Sequence, residues 1–398
     1  MARWTMRRAL LALALLIALS GCGASDRGNS RPLSASVTAT ATVTLPAGWY
    51  TAPTPGGRIF ANNSGFRGLV ASPANPSEIA GCGLPLPGGD QTAVPVFLWS
   101  MDAGHSWRVH AIPGAAPTTF CALVADTMLP GTFVLQTDAN WTTRLLLTRD
   151  NGARWQSLPM PSGYTTNLAG SPGYVAPALV NGHLIASLLP AGQTSGFHLY
   201  DIGLTGRSKP LDAQLPQPPE ISGLPADTPP EALAVDPADP RHLYVAVYGA
   251  FGPNHNSGVT LYMTRDRGAT WQTLHEWRTT QSLALWAAPG NNLYAADFQD
   301  PQPGVYASLA GSTWQYTALN ISGFSVGPSA KALVFTNQGN AQSLFVFDAA
   351  TQRLTSLGPV PDAFADSLAV AMIVDHPAPT LVLASGQGTF GLPLNTAS

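Results

Sequence analysis

One eight-residue pattern, Ser/Thr-x-Asp-x-Gly-x-Thr/Ser-Trp, restricts the fold of this chain more than any other feature. It runs over 100–107, 148–155 and 264–271, which aligns Asp102, Asp150 and Asp266, Gly104, Gly152 and Gly268, and Trp107, Trp155 and Trp271. The second copy carries Arg154 where a hydroxyl residue stands in the others, and a fourth stretch, Ser308 to Trp314, lacks the Asp and is one residue short. Apolar runs such as Val96-Phe97-Leu98-Trp99 and Leu145-Leu146-Leu147 precede the copies, and a Trp-led stretch follows each. That layout reads as a β-hairpin with Asp-x-Gly at its turn. The carboxylate can accept backbone N–H bonds across the turn, glycine supplies the positive φ, and the indole is buried on a neighbouring element. These aspartates are therefore expected to brace turns, not to act as catalytic acids.

A second signature lies upstream of the first. Ala232–Val235, Asp236-Pro237-Ala238-Asp239-Pro240 and Leu243–Ala246 read as strand, proline-braced turn and strand, and Leu69–Ala80 and Val370–Val382 match them. Two strands, a loop, the Asp-Gly hairpin and a return strand make four antiparallel strands every 40 to 50 residues or so, the mark of a β-propeller blade. First strands should begin near 67, 121, 167, 232, 282, 324 and 368, which implies seven blades. Gly48–Pro53 can supply the outer strand of the last one; six blades plus an N-terminal cap is the alternative. Composition agrees, with 39 Gly and 36 Pro for turns and only 10% charged residues. Together the repeats resemble the Asp-box, or BNR, repeats of a β-propeller superfamily, over most of residues 48–395. An all-β fold with a single propeller over 48–398 is expected.

The N-terminus bears on location. Arg3, Arg7 and Arg8 precede an apolar stretch, Ala9–Leu19, that is short for a membrane span and suited to a secretory signal. Leu19-Ser20-Gly21-Cys22 resembles the bacterial lipobox. That resemblance implies removal of residues 1–21 and diacylglycerol on Cys22, with lipid anchoring at the extracytoplasmic face of a bacterial membrane. Residues 22–47 are small and polar and read as a flexible tether. Cleavage removes three arginines and no acid, so 19 basic residues become 16 against 22 acidic ones, a net charge of −6. Such a chain has no electrostatic basis for holding nucleic acid. Cys82 and Cys121 remain; in an exported protein they suggest a disulfide, two buried thiols being the alternative.

Propellers of this superfamily include sialidases, sortilin-type receptors and photosystem II assembly factors, so the fold alone does not decide the function. A sialidase-like site would need three arginines, a Tyr–Glu pair and an acidic Asp. Arg58, Arg67, Arg144 and Arg278 are the arginines not absorbed by repeats, turns or tether, and Gly57-Arg58-Ile59-Phe60 departs from the family's Arg-Ile-Pro signature at Phe60. Glutamates are Glu78, Glu220, Glu231 and Glu276 only. The lipobox and repeat layout is also similar to that of the lipid-anchored photosystem II assembly factor, whose arginine-rich surface has no obvious counterpart in these dispersed arginines. Two segments stand out as candidate binding loops: the polar stretch Gly249–Gly258, which contains His255, and the Pro-rich stretch Gln214–Pro230. No catalytic residue, metal ligand or cofactor motif is assigned. The expectation is a monomeric, membrane-anchored binding or assembly scaffold for a protein or glycan, with an exo-sialidase-like hydrolase as the alternative.

Overall fold

The computed structural model describes residues 50–394 except 53–68, 76, 84–93, 117–119, 140–141, 167–176, 193–197, 217–229, 252–255, 278–282, 298–302, 312, 319–320, 327–331, 339–340, 360–369, 375–379 and 386–387. Cys22, the tether, Arg58, Arg67, Arg278, Glu220 and His255 lie outside the described residues, as does most of Gln214–Pro230.

All described regular structure is β, in 29 strands that form seven antiparallel sheets. The chain enters with β1 (Tyr50–Ala52). Sheet I then holds β2 (Leu69–Ala71), β3 (Ile79–Gly83), β4 (Val96–Ser100) and β5 (Arg108–Ala111). Sheet II holds β6 (Phe120–Ala125), β7 (Phe133–Ala139), β8 (Thr142–Thr148) and β9 (Gln156–Ser157). Sheet III has five strands, β10 (Tyr164–Thr166), β11 (Ala178–Val180), β12 (His183–Pro190), β13 (His198–Gly203) and β14 (Ser208–Pro210). Sheet IV holds β15 (Pro230–Val235), β16 (Leu243–Phe251), β17 (Asn256–Thr264) and β18 (Gln272–Trp277). Sheet V holds β19 (Ala284–Ala288), β20 (Asn292–Asp297), β21 (Gly304–Ser308) and β22 (Gln315–Ala318). Sheet VI holds β23 (Ile321–Val326), β24 (Ala332–Gln338), β25 (Ala341–Asp348) and β26 (Arg353–Pro359). Sheet VII is β27 (Val370–Val374), β28 (Thr380–Ser385) and β29 (Gly388–Pro393), completed by β1 on its outer edge.

The first strands β2, β6, β11, β15, β19, β23 and β27 each lie beside the next, and β27 returns to β2. The sheets are thus blades of a β-propeller. The first and last described strands meet in sheet VII, where Tyr50, Thr51 and Ala52 pair with Gly391, Phe390 and Thr389. Two details depart from the sequence reading. The inner edge of sheet III is split, with β11 on Ile185–His183 and β10 on Pro190–Leu188 of the same long strand. The polar stretch 249–258 is chiefly hairpin and not loop, since Gly249, Ala250 and Phe251 pair with Gly258, Ser257 and Asn256.

The core lies between blades, and the period-two rule of strands sorts its residues. On β7, Phe133 and Leu135 pack toward blade I while Val134 packs toward blade III. On β8, Leu146 faces the first and Leu145 and Leu147 the second. Burial on both faces explains why each of these strands carries three consecutive apolar residues. One covalent link joins blades: Cys82 on β3 is bonded to Cys121 on β6, Cα to Cα 6.2 Å, across 39 residues of sequence. Closing a loop of that length stabilises by about 4 kcal/mol in the chain-entropy account. Reduction, or the double change Cys82→Ala and Cys121→Ala, is expected to lower the unfolding free energy by about that amount. Urea titration with and without reductant measures it, and coincident curves would refute the role.

Candidate functional site

The three Asp-Gly turns share one geometry. Asp266 accepts bonds from Thr264 Oγ1 (2.7 Å), from the Thr270 backbone N–H (2.8 Å) and from Thr270 Oγ1 (2.7 Å). Asp102 repeats this with Ser100 Oγ (2.8 Å) and with the N–H (2.8 Å) and Oγ (2.5 Å) of Ser106. At Asp150 the missing hydroxyl is replaced: Arg154 Nε donates at 2.7 Å, beside the Arg154 N–H at 2.9 Å and Thr148 Oγ1 at 3.0 Å. The guanidinium reaches the oxygen that serine or threonine reaches elsewhere, which is how the pattern tolerates Arg154.

These bonds set the charge states. Donation from the Thr270 side chain and backbone, then from Thr264, holds the Asp266 carboxyl down at about 2. Arg154 lowers Asp150 in the same way. Burial raises Asp102, but donors from Ser106 and Ser100 outweigh it and the net shift is downward. Three carboxylates bonded within their own turns and shifted downward stay ionised near neutrality and hold charge and shape.

Each turn also docks outward. Two consecutive left-handed residues form it, Ala103 and Gly104, Asn151 and Gly152, or Arg267 and Gly268. The first donates its N–H within its own blade, to the carbonyls of Ser77, Gly131 and Arg241 respectively. The tryptophan packs on the preceding blade: Trp155 meets Phe97 edge-on at 5.2 Å, and Trp271 Nε1 donates to the Leu211 carbonyl at 3.2 Å. Trp107 is buried in a cluster that includes Val382 of blade VII. A Cβ on Gly268 would stand 2.5 Å from the Leu211 carbonyl oxygen, and one on Gly152 would enter the Phe97 ring. Glycine is required there for conformation and for proximity. The shortened fourth copy keeps the left-handed pair at Ala310 and Gly311. Its Ala310 N–H goes to Asn292 Oδ1, where the other copies use a backbone carbonyl.

Sequence reasoning missed a second set of carboxylates. Glu78 is buried, accepting from Trp99 Nε1 and, across the blade boundary, from the Gly131 N–H, each at 3.1 Å. Asp126 accepts from Met128, Leu129, Asn181 and Gly182 N–H groups at 2.7–3.0 Å, tying blade II to blade III. The available signal was positional, since Asp126 follows its strand as Asp236 follows Val235. A third link joins blades III and IV: His183 Nδ1 meets Asp201 Oδ1 at 2.8 Å, and Arg267 Nη1 meets His183 Nε2 at 3.3 Å.

Of the arginine and glutamate candidates for hydrolysis, Arg144, Glu78, Glu231 and Glu276 fall in the described residues. Arg144 is on β8, with its guanidinium over Gly114 of the preceding blade. Glu78 is the inter-blade brace just described, and Glu231 and Glu276 fall on β15 and β18. No group of His, Cys, Asp and Glu among the described residues could hold a metal ion.

No protein-family model and no curated protein matches the sequence. Solved structures do match. A structure of YCF48 bound to a D1 peptide aligns over 88% of this chain and 98% of its own, at 11% identity and TM-score 0.51. A puromycin hydrolase aligns over 86% of this chain at 14% identity and TM-score 0.51, and this chain spans 53% of that enzyme's length. A structure from a study of two prolyl endopeptidases aligns over 80% at 10% identity and TM-score 0.51, with 46% of its own length covered. At such identities the likeness is one of fold, and it places this chain among β-propeller proteins.

Two substitutions test the turn geometry. Gly268→Ala is expected to cost about 3 kcal/mol, from left-handed strain and the clash with Leu211 together. Gly163→Ala, also at positive φ but with open space around its Cβ, should cost about 1 kcal/mol. Equal losses in thermal melts would show that proximity to the preceding blade is irrelevant. Acid unfolding provides a second test. The Asp266 carboxyl is depressed in the folded state, so its stabilisation is complete above an unfolded value of about 3.9 and is lost as pH falls through about 2. Stability should therefore decline from about pH 4 downward, less steeply in Asp266→Asn. Denaturant midpoints from pH 2 to 7 measure both slopes.

Proposed function

We propose that the chain is a lipid-anchored, extracytoplasmic β-propeller of the Asp-box type that serves as a binding or assembly scaffold for a protein or glycan. The observation carrying this reading is the engagement of the repeat carboxylates within their own turns. Asp102, Asp150 and Asp266 each accept three bonds inside their own turns, so the repeated acidic residues are committed to architecture. Binding then falls to the surface that this frame displays, as is common for loops and edges on rigid scaffolds. The match to YCF48 over 98% of its length supports the reading, because that propeller was captured with a peptide bound. The anchor rests on Leu19-Ser20-Gly21-Cys22.

Cys22→Ala is expected to abolish metabolic labelling with a fatty-acid analogue and to release the protein from the membrane fraction. Unchanged retention refutes the anchor. Turnover of a fluorogenic sialoside by the purified protein, above that of a heat-denatured control, would favour the hydrolase reading over the scaffold.

A further inference from the structure

Strand order gives the propeller two unlike ends. Each blade runs its first and third strands in one direction, so the turns that follow them, the Asp-Gly turns included, gather at one end. Connections between blades lie at the other end, with the turns that follow second strands. β1 runs against β29, and Tyr50 pairs with Gly391, beyond Thr389 and Phe390 in the direction that third strand runs. The chain therefore enters the propeller at the Asp-Gly end. Cys22 is 28 positions upstream of Tyr50.

Charge is divided unequally between the two ends. Among the described residues, nine of the ten arginines and lysines lie at or toward the Asp-Gly end, Arg144 being the tenth. Nine described acids lie there too, a formal charge of zero. The opposite end sets Arg144 against Asp138, Asp212, Glu231, Glu276 and Asp297, a formal charge of −4. At the Asp-Gly end, moreover, the two signs differ in depth. Glu78, Asp126, Asp201 and Asp236 are buried, and Asp102, Asp150, Asp239, Asp266 and Asp348 accept backbone N–H bonds within their turns. Arg149, Arg207, Arg265 and Arg353 stand exposed on longer side chains. Apolar groups accompany them: Met101, Met128 and Leu129 are 46%, 41% and 37% exposed, at turns of this end in blades I and II. Those turns are neighbours, since Ala103 N–H bonds Ser77, and Glu78 accepts from Gly131.

We propose that the Asp-Gly end of the propeller rests on anionic headgroups of the bilayer that holds Cys22. The exposed arginines meet lipid phosphates, and Met101, Met128 and Leu129 enter the headgroup layer. Entry of the chain at this end brings these turns to the lipid first. Each base close to an anionic leaflet strengthens the attraction about fivefold, and the acidic opposite end is repelled and faces away. The inference rests on the lipid-anchor reading and adds to it an orientation and a headgroup class. It leaves the opposite end, with its inter-blade connections, as the side open to partners.

The test places one nitroxide on the full-length protein purified with its anchor. Cys82 and Cys121 are bonded to each other, so with Cys22 acylated an introduced thiol is the single target. Ala153→Cys labels the Asp-Gly turn of blade II, and Ser162→Cys labels the opposite end of β9; both positions are exposed. Paramagnetic resonance measures collisions with oxygen and with a water-soluble nickel chelate, on protein-free vesicles of phosphatidylcholine and phosphatidylglycerol in equal parts. Nickel collisions at position 153 are expected to fall and oxygen collisions to rise, with position 162 unchanged. Arg149→Gln, Arg154→Thr and Arg265→Gln together should weaken the attraction about a hundredfold, at fivefold each, and reopen position 153 to nickel. Arg154→Thr supplies the hydroxyl that the other copies use, so Asp150 stays braced, and an unchanged melting temperature verifies the fold. Salt at about 1 M, where the screening length is about 3 Å, should act like the triple variant. Equal nickel collisions at 153 and 162 overturn the proposal, as does shielding of 162 in place of 153. The same shift on phosphatidylcholine alone, or in the triple variant, overturns the headgroup class. Membrane retention that survives Cys22→Ala removes the anchor reading and this inference with it. Cys22-dependent retention with position 153 open to nickel removes the orientation only.

Discussion

The seating of one blade's turn on the blade before it is the interaction on which the rest of this structure depends. A single twisted four-stranded sheet with two apolar faces cannot be stable alone, because both faces must be covered. Here the covering is directional. The Asp carboxylate shapes the turn, the left-handed Gly lets it come within contact of Leu211 or Phe97, and the Trp fills the space beside it. Glu78 and Asp126 make the complementary link, reaching forward to the next blade's backbone. Blades I and II are therefore held from both sides, by a turn seated on the blade before and a carboxylate bonded to the blade after.

Much of this was legible in the sequence, because the pattern that fixes the turn is local. Three copies of Asp-x-Gly with a trailing Trp marked the hairpins, and the proline-braced turns marked the strands before them. What was hidden depends on neighbours far along the chain. Glu78 reads as a turn residue until Gly131, 53 positions later, is placed over it. Arg154 reads as a defect in the repeat, yet its Nε replaces a hydroxyl through reach alone, which no residue-type pattern encodes. The split inner edge of blade III escaped notice because β12 is long enough to pair with two short segments at once.

Low charge now has a spatial meaning. Asp102, Asp150 and Asp266 are spent on turns and Asp126 on a blade boundary. The turns of blades II and IV also carry Arg149, Arg154, Arg265 and Arg267.

The pairing of β1 with β29 has a consequence for synthesis. The first described strand to leave the ribosome, Tyr50–Ala52, has its partner in Thr389–Gly391, near the end of the chain. Every other described strand can find its neighbours within its own blade as the chain lengthens, but this one must wait. The ladder that joins the two ends has the longest sequence separation of the described pairings, and contacts of that kind are slow because the closure entropy precedes the reward. Until the last blade emerges, the nascent protein is an open arc with an apolar blade face uncovered at each end and β1 unpaired, the state most exposed to proteases and to strand exchange with another copy.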